Sequence, residues 1–157
     1  MKDIPKFLHN NAVDFIKQLI NIVKECSFFA RESSREIFMK SDGTPVTEGD
    51  HKVDKYIYKK LKEINQNIPI ISEEREKKND QFLEKIFWLI DPIDGTQSYA
   101  KGGEEYTVNI ALIYEGKPVF GIIGHPPSNK LWYGFRDNAF LVKNDKEYRL
   151  ETNKCTS

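Results

Sequence analysis

Apolar residues in the first part of the chain recur every three or four positions. Ala12, Phe15, Ile16, Leu19, Ile20, Val23, Cys26 and Ala30 share one helical face, which predicts a long helix over about 11–34. A second stripe, Val53, Ile57, Leu61 and Ile64, predicts a helix over about 48–64. Thr47 stands before it and Asp50 follows three residues later, a capping-box-like start. Between the two helices, residues 36–39 suit a short strand leading into an Asp42-Gly43 turn. Ile70-Ile71-Ser72 reads as an apolar strand, and the charges over 74–80 read as a solvated loop. From Ile86 the pattern changes to strands, over 86–91, 107–114, 118–124, 130–135, 139–143 and 147–150. Glu115-Gly116-Lys117 and Asn144-Asp145-Lys146 read as hairpin loops. Helices followed by a run of strands predict an α+β fold, with two long helices on one face of a mainly antiparallel sheet.

Composition narrows the function classes. The 157 residues carry 24 Lys and Arg against 24 Asp and Glu, so the net charge is zero. A dedicated nucleic-acid binder is usually basic, so that class is disfavoured. No apolar run reaches membrane-spanning length, and Met1-Lys2-Asp3-Ile4-Pro5 lacks the apolar core of a signal peptide. The expected location is the cytoplasm or the cytoplasmic face of a membrane. Cys26 and Cys155 lie far apart and form no metal motif. Cys26 is expected to be a small buried helix residue and Cys155 an exposed tail residue, with no disulfide in a reducing compartment. His125, in Gly124-His125-Pro126-Pro127, is read as structural.

The chemistry concentrates in Asp91-Pro92-Ile93-Asp94-Gly95-Thr96, directly after the apolar run Ile86-Phe87-Trp88-Leu89-Ile90. Two carboxylates at a strand end suit a hard divalent cation, which takes oxygen ligands and retains waters. Pro92 stiffens the backbone there, and Gly95 permits close approach of an anion. A helix beginning after Thr96 would aim its free N–H groups at a phosphate. Asp-Pro and Asp-Gly are also ordinary turn dipeptides. Asp50 is explained equally by capping and by orienting a water, and Glu73-Glu74 by a loop start.

Four segments together resemble the inositol monophosphatase superfamily of metal-dependent phosphatases. They are Lys40-Ser41-Asp42-Gly43-Thr44-Pro45-Val46-Thr47-Glu48-Gly49-Asp50, Ser72-Glu73-Glu74, the Trp88 to Thr96 stretch, and Tyr106-Thr107-Val108-Asn109-Ile110-Ala111-Leu112-Ile113. The last, with Glu115-Gly116-Lys117-Pro118, tilts the likeness toward the CysQ-type 3′(2′),5′-bisphosphate nucleotidases. The resemblance implies that Glu73, Asp91 and the Ile93 carbonyl hold one Mg²⁺, and that Asp91 and Asp94 hold a second. It implies that Gly95 and Thr96 present N–H groups to the phosphate, and that Asp50, Thr96 and Glu73 activate the attacking water. Glu73, Ile93, Asp94 and Lys40 complete the expected substrate surroundings. The implied substrate is 3′-phosphoadenosine 5′-phosphate, giving AMP and phosphate. Inositol monophosphate and histidinol phosphate remain alternatives.

Departures from the family pattern are informative. Gly49 stands where the family usually has Ala, which is expected to loosen Asp50. Gln97-Ser98-Tyr99 follows Thr96 where the nucleotidases more often carry a charged residue and Phe. Asn138 is expected to supply the positive φ of the turn near Phe135. The later Trp-Asp-x-Ala-Ala-Gly motif is not in the sequence. The expected organisation is therefore an N-terminal metal- and phosphate-binding domain over 1–150, a polar tail over 151–157, and no C-terminal α/β domain. A complementing second half or a homo-oligomer is the expected partner, with an inactive remnant or an interaction module as alternatives.

Overall fold

The computed structural model describes residue 5 and residues 7–41, 43–75 and 84–151. Asp42, the charged run from 76 to 80, Cys155 and the tail beyond 151 lie outside the described residues.

Helix α1 (Phe7–Glu32) begins before its predicted start and bends at Asn11, where φ is −120°. Strand β1 (Ile37–Met39) pairs antiparallel with β2 (Pro45–Thr47), a strand that the sequence pattern does not show. Thr47 then caps helix α2 (Glu48–Ile64), whose boundaries match the expectation. The Asp50 amide donates to the Thr47 hydroxyl at 3.3 Å, and the Thr47 amide donates to Asp50 Oδ2 at 2.8 Å. This reciprocal pair satisfies donors that a helix start leaves unpaired.

Seven further strands form one sheet in chain order: β3 (Ile70–Ser72), β4 (Ile86–Asp94), β5 (Thr107–Tyr114), β6 (Lys117–His125), β7 (Lys130–Phe135), β8 (Asn138–Lys143) and β9 (Lys146–Leu150). Only β3 and β4 are parallel; the other neighbours are antiparallel. The hairpins turn at Glu115-Gly116 and Asn144-Asp145, all with φ between 50° and 72°. Such left-handed pairs match the twist of the flanking strands. The β7–β8 turn corrects one expectation. Its positive φ, 55°, lies at Arg136, because Asn138 already pairs with Phe135 as the first residue of β8.

Helix α1 packs on β5 and β6, and α2 packs on α1 and β4. Trp88, Ile90, Val108, Ile110, Leu112, Phe120 and Ile122 are buried at alternating strand positions beneath the helices. Phe15 of α1 stacks on Trp88 at 5.9 Å between centroids and meets Phe120 edge-on at 5.4 Å. Leu89 and Ile123, at the intervening positions, are exposed. They line the open face of the sheet with the small residues Ala111, Gly121 and Gly134.

Candidate active site

A β-bulge builds the site. Asp91 pairs with Asn109 and Asp94 with Thr107, so β4 spends three steps where β5 spends two. On a regular strand, residues three apart point to opposite faces. The bulge absorbs the odd step and returns both acids to a common side, as Thr107 and Asn109 share one. Pro92 and Ile93, inside the bulge, are both buried, while Asp91 is half-buried and Asp94 exposed. Proline, which cannot donate to a ladder, is tolerated at such a bulge.

Gly95 follows with φ of 91°, a left-handed conformation that favours glycine. A Cβ there would also overlap the Glu105 carbonyl oxygen. Gly95 caps α3 (Thr96–Ala100), a short helix whose first-turn N–H groups lack intrahelical partners. The Thr96 hydroxyl shares its proton between the Ile93 carbonyl at 3.0 Å and Asp50 Oδ1 at 3.3 Å. The Ile93 carbonyl thus accepts a hydrogen bond while keeping a second lone pair. Asp50 is fully buried, and its other oxygen accepts from Thr47. Capping and contact with Thr96 therefore coexist on one carboxylate.

Glu73 enters from the end of β3, where its amide donates to the Ile90 carbonyl at 3.2 Å. Asp91 is pushed up to about 7 from its usual 3.8. Burial is the main cause, followed by the Glu73 charge, a hydrogen bond with Glu73, and the charges of Asp94 and Glu74. Among the described residues, no three Asp, Glu, His or Cys side chains close on one point in ligating geometry. The donor chemistry nevertheless suits a hard cation: three carboxylates, a backbone carbonyl, and mutual repulsion that positive charge would offset.

The neighbouring residues correct the expected loop. The Glu74 side chain is only 4% exposed and ion-paired to Lys40 at 2.8 Å. Burial raises the Glu74 carboxyl, against the pull of Lys40. Burial alone would lower Lys40, but the Glu74 hydrogen bond and charge leave it raised. The Lys40 ammonium, expected beside the substrate, is therefore held by Glu74. Arg75 donates to Asp54 at 2.8 Å and lies 3.9 Å over the Tyr58 ring, so it too is not a loose loop residue.

Sequence reasoning missed Asp54 of α2, which accepts from the Ser72 hydroxyl and from Arg75. A readable signal existed: Asp54 follows Val53 on the buried stripe, one turn after Asp50. It also missed Thr107 and Asn109, polar positions alternating with apolar ones on β5. Asn109 Nδ2 donates to Asp94 at 3.4 Å. His125 is structural, as expected: its ring meets Ser128 Oγ at 2.7 Å and the Glu104 carbonyl at 2.9 Å.

The inositol monophosphatase family profile matches residues 7–157. The chain belongs to the inositol monophosphatase family. Relatives within reach include the 3′(2′),5′-bisphosphate nucleotidase CysQ of Buchnera aphidicola, 38% identical over 132 residues, which covers 82% of this chain and 49% of the relative. The structure of CysQ from Bacteroides thetaiotaomicron, a bacterial member of the inositol monophosphatase family, superposes with a TM-score of 0.69 at 25% identity. That match covers 87% of this chain and 51% of that one. The Thermotoga maritima IMPase superposes with a TM-score of 0.75 at 21% identity, over 92% of this chain and 56% of that one. The family's α+β architecture is the one described above, and the chain spans about half the length of these relatives. Among the described residues, no helix is long and apolar enough to cross a membrane.

Proposed function

We propose that this chain is the metal- and phosphate-binding part of a phosphatase, acting on the 3′-phosphate of 3′-phosphoadenosine 5′-phosphate. The observation that carries the reading is the bulge of β4, which brings Asp91 and Asp94 to one side of the sheet. Gly95 and Thr96 follow it, and Asp91 is raised beside Glu73. The likeness to CysQ nucleotidases supports the choice of substrate. Residues 1–150 form the binding domain in this reading.

Glu73, Asp91, Asp94 and the Ile93 carbonyl would hold Mg²⁺. When bound, the ion supplies positive charge against the phosphate oxygens and makes a nucleophile available at neutral pH. The chain's own groups do the rest. The amides of Gly95 and Thr96 hold the phosphate against the bulge. Asp50, fixed by its capping box, orients the Thr96 hydroxyl, and Thr96 and Glu73 orient the attacking water. The water oxygen bonds to phosphorus, the bond from phosphorus to the 3′-oxygen breaks, and the released proton ends on the 3′-hydroxyl of AMP. Catalysis of this kind rests on positioning and charge neutralisation.

The open sheet face borders the same carboxylates across a cavity of about 1000 Å³. A polypeptide seated there, whether a complementing half or a second copy, would close the site from water.

The test is Mg²⁺-dependent phosphate release from 3′-phosphoadenosine 5′-phosphate, with inositol monophosphate as the comparison. Release that rises with Mg²⁺ and disappears in Asp91→Ala supports the reading. A folded chain that releases no phosphate from either ester, alone or with a covering polypeptide, overturns it.

A further inference from the structure

We propose that Tyr99, seated in the space left by Gly49, is a positioning residue that sets the Thr96 hydroxyl against Asp50. The proposal deepens the phosphatase reading and rests on it for its kinetic part.

Helix α3 has five residues, too few to hold its own geometry. Tyr99 is its one buried side chain, and it is completely buried. Thr96 and Tyr99 are three residues apart and so lie on neighbouring lines of the helix surface. Whatever fixes the ring therefore fixes the hydroxyl one turn earlier. Three contacts fix the ring. The Tyr99 hydroxyl donates to the Ala30 carbonyl of α1 at 2.6 Å. The Tyr106 ring meets it edge-on at 4.8 Å, and the Arg35 guanidinium lies 4.8 Å over its face. Arg35 also donates to the Tyr99 carbonyl at 3.2 Å, which ties down the end of α3.

The fourth side of the slot is Gly49. A Cβ at that position would stand 2.5 Å from the Tyr99 hydroxyl oxygen and 3.0 Å from two ring carbons. No real Cβ tolerates that approach, so the phenol and the missing side chain are matched in size. Gly49 directly precedes Asp50 in the first turn of α2. A methyl group at 49 must therefore displace either α3, with Thr96, or the turn that holds Asp50. Either movement lengthens the 3.3 Å contact between Thr96 and Asp50. In this proposal the glycine, expected to loosen Asp50, admits the group that holds the opposite side of that contact. The two departures noted in the sequence, at 49 and 99, are one device.

The experiment compares the unaltered chain with Gly49→Ala, Tyr99→Phe and the double variant. Phosphate release and amide hydrogen exchange at Gly95 and Thr96 are measured on all four proteins. Gly49→Ala is expected to lower kcat about 10-fold with little change in KM, because it misplaces reacting groups rather than the leaving portion. Tyr99→Phe has the smaller effect. In the double variant the new methyl occupies the vacated hydroxyl position, and kcat and exchange protection return to within about threefold of the unaltered chain. Effects that simply multiply, or a Gly49→Ala variant with unchanged exchange at Thr96, overturn the proposal. If Gly49→Ala does not fold, a folded double variant supports the pairing and an unfolded one overturns it. Phosphate release absent from all four proteins, alone and with a covering polypeptide, overturns the phosphatase reading instead, and the exchange cycle still decides the pairing.

Discussion

Asp54 accepts a hydrogen bond from the Ser72 hydroxyl at 2.6 Å, which fastens helix α2 to the turn presenting Glu73. The same carboxylate holds Arg75 at 2.7 Å, on the other side of Glu73 and Glu74. One buried acid thus grips both ends of a four-residue turn. Asp54→Ala leaves the Ser72 hydroxyl and the Arg75 guanidinium without it. The expected destabilisation is about 1–3 kcal/mol, the range for losing a charged hydrogen-bond partner at a buried site. Chemical denaturation measures it. Amide exchange at Glu73 and Glu74 should accelerate more than the global loss explains, and equal acceleration everywhere would refute the clamp.

Asp91 predicts an unusual pH slope. Unfolded, its carboxyl titrates near 3.8; folded and treated with chelator, near 7. Between those values the folded chain keeps a proton that the unfolded chain has released. Stability contributed by this group is complete below 3.8 and declines as pH rises toward about 7. Melting temperatures of chelated protein across that window should fall more steeply than those of Asp91→Asn. Parallel slopes would show that Asp91 titrates normally.

Asp94→Asn should weaken Mg²⁺ binding about 10-fold or more, since it removes a charge from the proposed donor set while keeping its shape. Calorimetric titration reads the change directly. An unaltered isotherm removes Asp94 from the set.

Phe15→Ala should destabilise the fold by about 3–5 kcal/mol, the range for emptying an aromatic core site. The ring lies between Trp88 and Phe120, so the cavity opens where α1 meets the sheet. A thermal melt shifted only slightly would show that the helix collapses into the gap.

The long elements were legible because local chemistry and tertiary burial agree there. Thr47 and Asp50 announced the start of α2, and its apolar stripe ran to Ile64. Strands β5 and β7 appeared at their expected limits because alternation and turn residues coincided. The Asp91 to Thr96 stretch stood out as chemistry, but its geometry did not. A strand pattern assumes that alternate residues share a face, and the bulge breaks that assumption between Asp91 and Asp94. Glu74 and Arg75 read as solvated charges because their partners, Lys40 and Asp54, lie far away in sequence. Strand β2 was too short to carry a period, and its pairing with β1 depends on the turn between them. The meeting of Gly49 with Tyr99 joins two segments through space, so in the sequence each showed only as a separate departure from the family pattern.

The extra residue of β4 has an evolutionary corollary. The extra residue acts through its backbone carbonyl, not through its side chain. Replacing Ile93 with another apolar residue keeps the count and leaves both carboxylates on the open side. Deleting it leaves the two acids two steps apart, so simple alternation would still put them on one side, but the carbonyl that accepts from the Thr96 hydroxyl at 3.0 Å would be gone. Along this stretch, drift by substitution is cheap, whereas a single lost codon removes a proposed metal donor and the hold on Thr96 in one step.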